Sequence, residues 1–167
     1  MTIFLVGYMG SGKSTVGKKL AYNLRHDFID LDKYIQEQED RTIKEIFEQE
    51  GEDYFRKLER VYLHRVIDSE NTVISTGGGT PCHFDNMEQM NDYGRTIYIN
   101  MHPKALIPRL QNSAEFRPLI EGLEGEELLD YIYKTLRDRE IYYNKAHKVV
   151  TGFNLNANKL QEYCVEE

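Results

Sequence analysis

The chain has 167 residues, a net charge of −7, 40% hydrophobic residues and 29% charged residues. That length suits one domain with a continuous core, and no apolar run approaches the ~18 residues of a membrane span. The acidic balance opposes non-specific attachment to nucleic acid or anionic membranes, so any anionic ligand needs positive groups gathered locally.

Short β-rich apolar runs alternate with longer stretches of helical period, which predicts a parallel sheet with helices on both faces, a three-layer α/β/α domain spanning 1–167. Ile3–Val6 is the first strand candidate. It follows Met1 without a basic segment and is too short for a signal peptide, so a cytoplasmic location is expected. Gly7-Tyr8-Met9-Gly10-Ser11-Gly12-Lys13-Ser14 comes next and matches G-x-x-x-x-G-K-[ST] without a gap. Val16, Leu20 and Leu24 then recur at helical spacing. An apolar strand before the glycines and an amphipathic helix after them is the context a phosphate-binding loop requires. Backbone N–H groups would surround the phosphates at the positive end of the helix. Lys13 would reach the β- and γ-phosphates of ATP, and the Ser14 hydroxyl would ligate Mg²⁺.

The second strand, Phe28–Ile29, runs into Asp30-Leu31-Asp32. Two carboxylates two residues apart at a strand end are expected to project the same way from the carboxyl edge of the sheet, where α/β folds bind ligands. Asp30 is a candidate for holding Mg²⁺ and Asp32 for a base, although either would also serve to cap a following helix. Thr42-x-x-Glu45 has the form of a capping box, with Ile43, Ile46 and Phe47 as the apolar face behind it. About Asp53 to Ile67 is a further helical stretch with Phe55, Leu58, Tyr62, Leu63 and Val66 on one side. In it Arg56 and Glu59 are one turn apart.

Thr72–Ser75 is the third strand candidate and leads into Gly77-Gly78-Gly79, where a ligand can lie directly on the backbone. Thr96–Ile99 and Lys148–Val150 complete the strands. Between them the segment from Gln111 to Gly125 carries little periodicity, and a loop of that length inside a compact domain is expected to be functional, such as a lid. Glu127 to Tyr143 is a helix by its spacing, and Glu166-Glu167 is expected to be a frayed helix end. Cys82 and Cys164 lie outside any metal or redox spacing and are expected as free thiols. The five histidines suggest neither zinc nor a catalytic triad. The twelve tyrosines lack the clustered positive charge of a base-stacking surface.

Five segments together, Gly7 to Thr15, Asp30-Leu31-Asp32, Gly51 to Glu59, Ser75 to Gly79, and Arg117-Pro118-Leu119 followed by Arg139 to Tyr143, resemble the shikimate kinases in order and over most of the chain. The resemblance implies a nucleoside-monophosphate-kinase type of fold with five parallel strands in the order 2-3-1-4-5, a substrate subdomain at about 33–61 and a lid at about 112–124. It implies phosphorylation of the 3-hydroxyl of shikimate by ATP with Mg²⁺, a step toward aromatic amino acids. Gly10, Ser11, Gly12, Lys13, Ser14, Thr15, Arg109 and Arg117 would contact ATP, with Arg109 against the adenine ring and Arg117 over the transferring phosphoryl group. Asp32, Arg56, Gly78, Gly79 and Arg139 would contact shikimate, the two guanidinium groups gripping its carboxylate. Lys13, Asp32 and Arg117 would be catalytic, Ser14 and Asp30 would hold the metal, and a monomer is the family's default. Thr151-Gly152-Phe153-Asn154 departs from the family's adenine-contacting loop. The rival expectations are a gluconate or other sugar-acid kinase, and a non-catalytic ATP-binding regulatory module.

Overall fold

A computed structural model describes residues 1–114 and 117–165. Strand β1 (Thr2–Val6) is buried along its whole length, and its alternation divides the core. Phe4 and Val6 face one apolar cluster, Ile3 and Leu5 the other. Helix α1 (Lys13–Leu24) packs on the second cluster through Val16 and Leu20, as its spacing requires. Strand β2 (Asp27–Asp30) passes without a linker into α2 (Leu31–Glu39), capped by the Asp30 carboxylate, which accepts from the Lys33 N–H. Helix α3 (Ile43–Glu50) opens with the Thr42/Glu45 capping box in full. Helix α4 (Glu52–Val66) buries Phe55, Tyr62, Leu63 and Val66, and also Arg56 and Glu59.

Strand β3 (Thr72–Ser75) leads through the glycines into a 3₁₀ turn, Thr80–Cys82. Helix α5 (Asn86–Tyr93), strand β4 (Gly94–Asn100), helix α6 (Pro103–Gln111) and a second 3₁₀ turn, Pro118–Ile120, follow. The chain continues with α7 (Gly125–Tyr143), β5 (Lys148–Thr151) and α8 (Ala157–Val165). Of the expected lid, residues 115 and 116 lie outside the described residues, as does the Glu166-Glu167 pair.

All strand pairs are parallel and the order is β2-β3-β1-β4-β5, as the family resemblance implied. Helices α1 and α8 cover one face of the sheet; the larger cluster, built on α2, α4, α5, α6 and α7, covers the other. The order reverses around β1, so the loop after β1 and the loop after β3 open at the same carboxyl edge. No helix among the described residues is long and apolar enough to cross a membrane. Cys82 and Cys164 are free thiols.

Candidate active site

The loop after β1 turns on three glycines with left-handed or otherwise positive φ: Gly7 (148°), Gly10 (78°) and Gly12 (91°). A side chain at any of them would be strained, so the sequence pattern is a backbone requirement. Gly12 is also the N-cap of α1 and makes no side-chain cap, which leaves that helix end to be completed by an anion. Lys13 is buried, and its Nζ donates to the carbonyls of Gly7 and Tyr8, each at 2.9 Å. Burial lowers its pKa to about 8; Asp32 and Asp30 push it back up, while Arg117 and Arg139 lower it further. Ser11, within the loop, is buried with no hydrogen-bond partner for its Oγ among the described residues, and it does not line the cavity.

Ser14 Oγ donates to Asp30 Oδ2 at 2.6 Å and lies 3.0 Å from Ser75 Oγ. This all-oxygen set fits a hard divalent cation that keeps most of its own waters. Among the described residues no cluster of three or more His, Cys, Asp or Glu competes with it. Asp30 caps α2, and the same side chain pairs with Ser14 at the candidate metal position. The expectation for Asp32 needs correction in its reason: it lies in the first turn of α2, not on the strand, and it reaches the cavity by the helix turning over the strand end. Its half-buried carboxyl is pushed up to about 7, first by burial and then by the carboxylates of Glu59 and Asp30, against the pull of Lys13 and Arg56.

Arg56 is buried and held along α4 from both sides. Its Nη1 donates to Glu59 at 3.0 Å and its Nη2 to Glu52 at 3.4 Å. The guanidinium lies flat on Gly79, where a Cβ would stand 2.5 Å from Nη2 and 2.7 Å from Cζ. Arg139, from the last turns of α7, arrives on the other side of the glycine run, its Nη1 facing Gly78. It stacks over Tyr8 at 5.3 Å and interacts with Tyr143, whose hydroxyl donates to the Gly78 carbonyl at 2.5 Å. Arg56 Nε and Arg139 Nη1 are both buried without a hydrogen-bond partner among the described residues. A buried donor left unmade is costly, so each marks a place for an acceptor.

These groups line one cavity of about 890 Å³. It gathers Gly10, Gly12, Lys13, Ser14, Thr15, Asp30, Asp32, Arg56, Gly78, Gly79, Arg109, Arg117 and Arg139, every expected site residue except Ser11. Arg109 is exposed at the mouth and donates to the Gly10 carbonyl at 3.4 Å; Arg117 Nη1 donates to Ser113 Oγ at 2.8 Å. The wall also includes Ile43, Phe47 and Phe55, the two phenylalanines paired at 5.0 Å, as an apolar counterpart to the arginines.

The family model for shikimate kinase matches residues 9–167. The chain belongs to the shikimate kinase family. A shikimate kinase of Bacteroides thetaiotaomicron is 47% identical over 160 residues, 96% of this chain and 89% of that one. The crystal structure of a shikimate kinase from the same organism superposes with a TM-score of 0.93 at 44% identity, covering 98% of each chain. A shikimate kinase from Acinetobacter baumannii, solved in complex with shikimate, gives a TM-score of 0.88 at 32% identity over 98% of this chain and 90% of that one. A gluconokinase from Sinorhizobium meliloti, at 16% identity and a TM-score of 0.57, shares the fold alone.

Two residues that support the lining of this shikimate kinase cavity from behind were given no role by sequence reasoning. Tyr143 was one tyrosine among twelve, and Thr80 followed the glycines as an ordinary turn residue. The sequence signal nearest to Tyr143 was its helical spacing, four residues after Arg139. His102 and His147 are structural: His102 Nδ1 accepts from the Lys104 N–H at the start of α6, and His147 bonds Thr96.

Proposed function

We propose that the chain carries the γ-phosphoryl group of ATP to the 3-hydroxyl of shikimate, giving shikimate 3-phosphate. The observation that carries this reading is the convergence of two orphaned guanidinium nitrogens, on Arg56 and Arg139, with the Asp32 carboxyl in the same cavity as the phosphate loop. A small ring acid with a hydroxyl fits that set, its carboxylate between the arginines and its hydroxyl toward Asp32.

Asp32, held near neutrality by its surroundings, is suited to take the hydroxyl proton as transfer proceeds. Lys13 leaves the Gly7 and Tyr8 carbonyls for the phosphates, and Arg117 sits over the developing charge. Ser14 and Asp30 would hold Mg²⁺, which would supply positive charge to offset that of the phosphates. Gly10, Ser11, Gly12 and Thr15 belong to the phosphate side and Arg109 to the adenine side. Segment 33–61, whose residues form one wall of the cavity, is the substrate subdomain, and segment 112–124 is the lid that excludes water. The whole of 1–167 acts as one domain, a cytoplasmic monomer without nucleic-acid partners, in keeping with its net charge of −7.

The test is ADP release from MgATP with shikimate, gluconate or quinate as acceptor. Turnover that depends on shikimate supports the proposal. Acceptor-independent hydrolysis, or preference for gluconate, overturns it.

A further inference from the structure

Thr80 is fully buried in the 3₁₀ turn behind the glycine run and does not itself line the cavity. Its hydroxyl donates to Glu59 Oε2 at 2.7 Å, while Glu59 Oε1 accepts from Arg56 at 3.0 Å. Thr80 is anchored on its own account: its N–H donates to the Gly77 carbonyl at 3.2 Å and its carbonyl accepts from the buried Asn86 amide at 2.9 Å. The point where Gly77 lacks a Cβ lies 3.0 Å from Thr80 Oγ1, 3.1 Å from Glu59 Oε2 and 3.0 Å from Asp32 Oδ1. The threonine hydroxyl, the second Glu59 oxygen and an Asp32 oxygen therefore all border the space at Gly77, and the Glu59 charge is felt at Asp32.

We infer that Thr80 is a positioning residue for the acceptor. Through Glu59 it fixes the plane of the Arg56 guanidinium, and thus the alignment of the acceptor carboxylate. The inference rests on the reading of Arg56 as the group that holds that carboxylate. Glu59 is 0% exposed, and among the described residues the side-chain donors bonded to it are Arg56 and Thr80. With the hydroxyl gone, Oε2 is left without a donor beside a second carboxylate, and the side chain relaxes by rotating. The guanidinium then follows Glu59 or keeps only Glu52, an exposed residue whose bond to it is 3.4 Å long.

Thr80→Val preserves shape and the two backbone bonds, and Thr80→Ser preserves the hydroxyl. Steady-state kinetics should show the shikimate KM of Thr80→Val raised about tenfold with ATP KM within about twofold, and Thr80→Ser restored to within about threefold of wild type. Placed in an Arg56→Ala background, Thr80→Val should add no further loss, the non-additivity expected of groups acting through one another. Thr80→Ala serves as the second hydroxyl-free variant, and circular dichroism checks that each is folded. A folded hydroxyl-free variant with wild-type shikimate KM, an equal rise in the KM of ATP, or losses that add to those of Arg56→Ala overturn the inference. Should Arg56→Ala itself leave the shikimate KM unchanged, the acceptor-site reading fails instead, a result distinguishable from the others.

Discussion

Gly79→Ala puts the acceptor side to a clean test because the backbone there accepts any residue, with φ −92° and ψ −12°. Only the added methyl matters. It would stand 2.5 Å from Arg56 Nη2 and 2.7 Å from Cζ and Nη1, against ordinary contacts of about 3.5 Å, so the guanidinium must retreat by about 1 Å. A free arginine tip would do so at little cost. Here Nη1 is tied at 3.0 Å to Glu59, which is itself buried and tied to Thr80, so the retreat breaks a charge-assisted bond or tilts the plane. Losing one charge-assisted hydrogen bond to the acceptor costs about 1.5–3 kcal/mol, which is roughly 10- to 100-fold in shikimate KM. A misplacement of about 1 Å also brings a loss in kcat of up to about 100-fold. The assay is ADP release, varying shikimate at saturating ATP and then ATP at saturating shikimate. The expected result is a raised shikimate KM with an ATP KM within about twofold, since the phosphate loop is untouched. A folded variant with unchanged shikimate KM would refute the placement of the carboxylate against Arg56, and a matching rise for ATP would refute the separation of the two half-sites.

Two further predictions concern Asp32 and Tyr143. Asp32→Asn should lower kcat by about 10²- to 10⁴-fold, as expected for loss of a general base. The same change should stabilise the metal-free protein above neutral pH. A carboxyl raised from 3.8 to about 7 contributes stability that is present below its unfolded pKa and is lost as pH climbs through the folded one. The limit is about 4 kcal/mol, which solvent at the open cavity reduces to about 1–2 kcal/mol, so the Tm advantage of the variant should widen from pH 5 to pH 8. An advantage that narrows over this range would contradict the buried, repelled state of the carboxyl. Tyr143→Phe removes the bond to the Gly78 carbonyl and the interaction with Arg139 but keeps the packing against Tyr98. It should raise shikimate KM about 5- to 20-fold and lower stability by about 1 kcal/mol, measured by kinetics and denaturant titration.

The phosphate loop was legible from sequence because every requirement is local: glycines at the positive-φ positions, a buried strand before, an amphipathic helix after. The capping box at Thr42 and the stripe of α4 were legible for the same reason. Helix α2 was foreseen only as a helix that Asp30 or Asp32 could cap, without bounds, because it begins at the residue after β2 and the pair Asp30 and Asp32 has a strand-like period across a helix start. Helices α5 and α6 escaped notice through weak signals. The first buries only Asn86, Met87 and Met90, and the second carries Pro103 at its start and Pro108 within it. Arg139 is the opposite case from the loop. Nothing within α7 marks one arginine among its charged neighbours, and only the return of that helix beneath Tyr8 and Gly78 brings it to Arg56. Family resemblance supplied what periodicity lacked there.

The two halves of the cavity are prepared for their ligands in different ways. On the phosphate side the two side chains expected to meet the nucleotide and its metal are already bonded within the protein, Lys13 by two carbonyls and Ser14 by Asp30. A nucleotide must exchange those bonds for its own, and the net gain per bond is correspondingly small. Burial that lowers the Lys13 pKa to about 8 adds a reason for the lysine to welcome phosphate charge. On the proposed acceptor side the guanidinium groups are held by Glu59, Glu52 and Tyr143, yet each keeps a buried nitrogen without an acceptor among the described residues. A carboxylate arriving there completes a geometry already held, at little cost in side-chain ordering. Discrimination should therefore come mainly from the acceptor half, since a compound lacking the carboxylate leaves both orphaned donors buried. A site built to hydrogen-bond a polar group rejects analogues that lack it far more strongly than an apolar pocket rejects a change of size.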